Sequence, residues 1–176
     1  MIKNIEEKYK KEVTPALIKK FGYKNVMSVP KITKIVINTG TGRFKDAKQK
    51  EEIEKYLKVL TGQKPAVRTA KKAIASFKTR VGLEIGYQVT LRGKRMYDFL
   101  SRLIDLALPR TRDFHGLDVK SFDEKGNLTI GFKEHIVFPE MIGEDYHFLF
   151  GLEATIVNTA HKREEGIELM KLMGIP

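Results

Sequence analysis

The chain has 176 residues, 41% of them hydrophobic and none of them cysteine, with 33 Lys and Arg against 22 Asp and Glu for a net charge of +11. That length supplies one domain with a proper core, expected over residues 1–176. The composition excludes a disordered chain, a disulfide framework and a thiolate metal site, and no apolar run approaches the width of a bilayer. An N-terminus without the apolar stretch of a secretory signal, together with the lack of cysteine, fits a reducing cytoplasm.

Ile5, Tyr9, Val13, Leu17 and Phe21 recur at steps of four and predict an N-terminal helical segment over residues 1–22, ended by Gly22 and bent or divided by Pro15. Lys31 to Thr39 is rich in β-branched residues and predicts a strand, ended by the glycines of GTGRF. Asp46 can cap a second helix that turns Ile53, Tyr56, Leu57 and Leu60 inward and closes on Gly62. An extended piece at Ala66 to Thr69 follows. Beyond it, Leu83, Ile85, Tyr87, Val89 and Leu91 alternate with Glu84, Gly86, Gln88, Thr90 and Arg92, which predicts a strand with one face on the core and a polar face opposite. Met96, Phe99, Leu100, Leu103, Ile104, Ala107 and Leu108 predict a helix stopped by Pro109. FDEKGNLTIGFKE reads as a hairpin turning at Lys125 to Asn127 with Leu128, Ile130 and Phe132 on one face; LEATIVNTA is a further strand, and Glu164 to Met173 a last helix ended by Gly174. Without a regular strand–helix repeat, the expected class is α+β, a mainly antiparallel sheet packed with helices.

The charge is a block. Residues 55–97 carry a net +10, residues 1–54 a net +6, and residues 98–176 a net −5. Between Arg68 and Gly82 there are five cations and no anion, whereas a solvated helix face mixes signs because like charges three and four apart repel. Residues 69–81 therefore read as a protruding basic loop. Lys71, Lys72, Lys78 and Arg80 can neutralise phosphates, Phe77 can lie against a sugar or base, and Ala73, Ala75 and Ser76 permit close backbone approach. In the competing reading the loop is merely solvated and Ile74 and Phe77 tuck into the core. The polar face carrying Gln88, Thr90 and Arg92 is a second RNA-facing candidate, with a plainly solvated sheet face as its competitor. The acidic C-terminal third argues against coating of an anionic membrane.

Catalysis and cofactor binding find no support. Gly40 and Gly42 follow a strand, but Lys45 stands where a dinucleotide fingerprint needs its third glycine, and no Walker loop occurs. His115, His135, His147 and His161 lie too far apart for a helical metal pair. Glu134 beside His135 reads as a solvated pair on opposite faces of a strand. No Ser sits in a nucleophile elbow.

The stretches KITKIVINTG, LTGQKPAVRTAKKAIASFKTRVG, VTLRGKRMYDFLSRLIDLALPRTRDFHGL, GNLTIGFKEHIVFPE and TIVNTA resemble, in order and from end to end, the bacterial fifth large-subunit ribosomal protein, the L-five family that binds 5S ribosomal RNA. The resemblance implies an α+β domain in the central protuberance of the large subunit and no enzymatic activity. The partners it implies are 5S rRNA, large-subunit rRNA, other 5S-associated ribosomal proteins, a small-subunit head protein across the interface, and peptidyl-site tRNA. The tRNA contact would fall to Lys71, Lys72, Ser76, Phe77, Lys78 and Arg80 in the basic loop. The 5S surface would fall to Asn38, Thr39, Gln63, Lys64, Thr90 and Arg92. His115 stands where the family pattern has Arg, and residues 143–150 depart from it. The runner-up reading is a stand-alone RNA chaperone or translation factor, and a dinucleotide enzyme is a distant third.

Overall fold

A computed structural model of the chain describes residues 5–44, 46–111, 116–141 and 148–175; the readings placed on Lys45, His115, His147 and residues 143–147 lie outside them. Five strands join one antiparallel sheet in the order β2-β3-β1-β5-β4. They are β1 (Ile32–Gly40), β2 (Ala66–Thr69), β3 (Glu84–Leu91), β4 (Leu128–Phe132) and β5 (Leu152–Asn158). The α+β class read from the sequence holds.

Register explains the core. Ile35 pairs with Leu91 and Ile156, and Ile37 with Val89 and Ala154, so the odd positions of β1 and β3 meet the even positions of β5 and β4 on one face. That face is buried under the helices, with Ile35, Ile37, Leu91, Leu128, Ala154 and Ile156 fully enclosed. The predicted alternation of β3 holds from Tyr87 to Leu91, whereas Leu83 is exposed because it precedes the strand at the base of the basic loop.

Helix α3 (Ala47–Thr61) follows its local signals closely. Asp46 accepts from the Lys48 amide at 3.1 Å, Ile53, Tyr56, Leu57 and Leu60 are buried, and Gly62 takes the left-handed C-cap at φ 68°. The two proline-containing helices continue through their prolines. The first runs as α1 (Ile5–Lys8), a π turn (Tyr9–Val13) and α2 (Thr14–Phe21) to its C-cap Gly22, so Pro15 does not divide it. The second runs as α4 (Gly93–Arg102), a π turn (Leu103–Ala107) and α5 (Leu108–Arg110), continuing one residue past Pro109. Each π turn sits immediately before an X-Pro pair. Thr14 N–H bonds to the Tyr9 carbonyl and Leu108 N–H to the Leu103 carbonyl. An α-helical proline lacks its N–H and collides with the carbonyl four residues back; widening the preceding turn relieves both problems.

The last helix, α6 (Arg163–Met173), docks on the turn before β4. A Cβ on Gly166 would fall 2.5 Å from the Gly126 carbonyl oxygen, so these two backbones touch. The hairpin expected there is reduced to a single bridge, Phe122 with Leu128, around an Asp123-centred turn. His135 is a further correction. It is not a solvated strand residue but lies buried in a short helical turn, stacked on Phe150 at 4.1 Å and Tyr56 at 5.5 Å. Burial holds its pKa below the ordinary 6.5.

Candidate nucleic-acid interface

The second face of the sheet is built from the even positions of β1 and β3 and the odd positions of β5 and β4. Its rows follow from the pairing: Ala66, Gln88, Asn38, Glu153 and Gly131 form one, and Thr90, Val36, Thr155 and Thr129 the next. Asn38 is exposed, and Gln88, Thr90, Val36, Thr155 and Thr129 are half-buried. The Thr129 and Thr155 hydroxyls lie 3.1 Å apart. Such a surface offers amide and hydroxyl groups on a flat, apolar-spaced floor, which suits ribose and base edges. Glu153, opposite Asn38, sets its limit for an anionic partner, because the cations lie on the β2–β3 side.

The residues expected to meet 5S RNA separate into three situations. Asn38 and Thr90 share the open face. Thr39 points the other way: it is 1% exposed on the core side with Ile35 and Ile37, so its hydroxyl cannot be reached from the open face. Gln63, Lys64 and Arg92 gather at one end. Gln63 Nε2 donates to the Thr90 carbonyl at 2.9 Å and its Oε1 accepts from Arg95 at 3.5 Å, so this amide ties the α3–β2 connection to the end of β3. Lys64 is exposed and 3.7 Å from Glu54. Arg92 is exposed at the N-cap of α4, followed by Gly93, Lys94 and Arg95 with no acid in the first turn. Cations there stand at the positive end of the helix, an arrangement unfavourable by itself and relieved by an anionic partner.

The basic loop leaves the other end of the sheet. Seven residue steps along β3 separate its base from Leu91, about 23 Å at the usual strand rise. It is a built hairpin. Ile74 and Thr79 exchange backbone hydrogen bonds at 3.2 Å, a helical turn spans Ala75–Phe77, and Lys78 takes φ 52°, a left-handed conformation rare for a side chain with a Cβ. Lys71, Lys72, Ser76, Phe77, Lys78 and Arg80 are all exposed. Phe77 is 75% exposed and Ile74 47%, which overturns the reading that tucks them into the core.

Residues that the sequence reading did not assign to the surface are Lys34, Val36, Thr129 and Thr155. The parity argument made for β3 applies to β1, β4 and β5 as well, but placing their residues beside Thr90 needs the strand order, which is non-local. Among the described residues no group of His, Asp or Glu could hold a metal ion, and no helix is long and apolar enough to cross a membrane.

Comparison with known proteins gives one consistent result. Residues 25–80 match the family model described as Ribosomal protein L5, and residues 84–176 match the model of that family's C-terminus. Full-length relatives include Large ribosomal subunit protein uL5 of Streptococcus thermophilus, 50% identical over 100% of this chain and 98% of that protein. The protein of the same name from Oenococcus oeni is 49% identical with the same coverage. That from Halothermothrix orenii is 49% identical over 98% of this chain and 97% of its own length.

Proposed function

This chain belongs to the ribosomal protein L5 family, and from that premise we propose that it is a non-enzymatic structural constituent of the large ribosomal subunit in the cytoplasm which binds 5S rRNA through the open face of its sheet. The observation that carries the 5S reading is that face itself. One side of the five-stranded sheet is the buried core, and Asn38, Gln88 and Thr90 lie on the other, bordered by Gln63, Lys64 and Arg92. A sheet face meant only for water has no need of cations crowded against the positive end of a helix at its border. Thr39 is taken as a support beneath this surface. Attachment of 5S RNA to large-subunit rRNA in the central protuberance, beside other 5S-associated proteins, belongs to the same proposal.

The exposed hairpin of residues 69–81 is the proposed contact for peptidyl-site tRNA: its cations meet backbone phosphate and Phe77 lies against a sugar or base. The acidic C-terminal third would meet a basic small-subunit head protein. The test is direct binding of a 5S transcript by the purified chain, with co-sedimentation on large subunits from which the native counterpart has been removed. Binding to both supports the reading. Binding to RNA without retention on subunits favours a stand-alone chaperone, and binding to neither overturns it.

A further inference from the structure

Arg68 and Gln88 form an arrangement on the open face that strand parity alone does not explain. Arg68 lies on the edge strand β2 with Gly86 directly opposite on β3, and its Nε donates to Oε1 of Gln88, the diagonal neighbour, at 2.5 Å. That bond occupies one of the two lone pairs of the amide oxygen. The pair also presents donors: the two Nη groups of Arg68 and Nε2 of Gln88, none engaged by another described residue. Glu84 stands on the same strand face as Gly86 and Gln88, yet Arg68 bonds the neutral amide and forms no ion pair among the described residues. Its charge is therefore held in place without being neutralised.

The floor beside the pair is made of two glycines, Gly86 buried and Gly40 exposed. Gly86 cannot carry a side chain, since a Cβ there would fall 2.6 Å from the Thr39 carbonyl oxygen. Its partner across the ladder is Gly40, which is exposed, has no positive φ, and would meet nothing within 4 Å if given a Cβ. The fold does not require glycine at that position, and a glycine inside a strand commonly marks close approach by another backbone.

We infer that Arg68, oriented by Gln88, is a contact for an RNA backbone phosphate, with the ribose resting over the exposed Gly40. This rests on the 5S-binding reading above. It places a cation between the Asn38–Thr90 surface and the base of the hairpin. A fixed fork of donors suits the non-bridging oxygens of a phosphate.

The test is binding of a 5S transcript by the full chain over a range of salt, with thermal midpoints measured in parallel. Arg68→Gln should lower affinity about tenfold and reduce the slope of log affinity against log salt by about one, the signature of one lost phosphate contact. Gln88→Glu should lower affinity at least as far, because it neutralises Arg68 and puts a carboxylate where the phosphate would lie, while the midpoint holds or rises. Gly40→Val should leave the midpoint at or above that of the parent and weaken binding. Unchanged affinity and slope in Arg68→Gln and Gln88→Glu, with Arg92→Lys still impaired, would overturn this inference and leave the 5S reading standing. Weaker binding with a lowered midpoint and an unchanged slope would also overturn it, by showing the pair to be structural. Failure of the parent to bind 5S RNA removes the reading on which both depend.

Discussion

Asn158 shows how much one side chain can organise. Its Nδ2 donates to the Gly126 carbonyl at 2.5 Å, its Oδ1 accepts from Ala160 N–H at 2.7 Å, and its own N–H reaches Asn127 at 3.0 Å. Asn158→Leu strands a buried donor and a buried acceptor, so stability should fall by about 2–4 kcal/mol, read from the urea unfolding midpoint. His135 supplies a pH prediction. Because burial lowers its folded-state pKa, the unfolded chain takes up the proton first; this part of the stability is present above the ordinary 6.5 and is lost as pH falls from there toward the folded value. Stability should drop across that window by at most about 1.4 kcal/mol per pH unit for one proton, read as a falling thermal midpoint, and His135→Phe should flatten the drop. At the border of the open face, Arg92→Lys should weaken 5S binding by roughly 1 kcal/mol or more while leaving the midpoint unmoved, since lysine matches the charge but not the fork. Thr90→Val is its companion, removing a hydroxyl at constant shape.

Elements were legible where their signals are local. Helix α3 carries its cap, its stripe and its stop within seventeen residues, and β3 declares its faces by alternation from Tyr87 onward. The π turns were less open to view, although stripes at strict steps of four already overshoot a 3.6-residue turn, and the wide turn absorbs the excess. Thr39 shares the parity of Ile35 and Ile37, so its burial could have been read; its place in the family pattern drew it to the surface instead. His135 could not be read, because its stack joins residues from α3 and from the segment before β5. At the scale of the hairpin, the tip separates charge from shape. Lys78→Gly should preserve the left-handed corner while deleting a cation. Replacing Lys71, Lys72, Lys78 and Arg80 together by Ala should leave 5S binding largely intact and remove tRNA contact, measured by crosslinking on assembled subunits. Loss of 5S binding in that variant would show that the two surfaces are one.

Across the whole molecule, charge follows architecture. The cations concentrate on α3 and its connection to β2, on β2, the hairpin between β2 and β3 and the start of α4, and acids increase toward β5 and α6. If phosphate neutralisation dominates, affinity for 5S RNA should fall by on the order of a thousandfold between dilute and near-physiological salt for about six contacts; a flat response would contradict it. The strand order carries another consequence, which concerns how the protein comes into being. Strand β1 lies between β3 and β5, so its two neighbours emerge from synthesis some 50 and 120 residues after it. Until the second arrives, a long apolar strand has one unsatisfied edge, and pairings of this range are slow to close. The chain must remain soluble throughout that delay, and a nascent fragment ending near Gly82 should be protease-sensitive and aggregation-prone. The segments 25–80 and 84–176 recognised by the two family models should likewise fail to fold apart, and should regain structure when mixed, because each holds the strands that the other lacks.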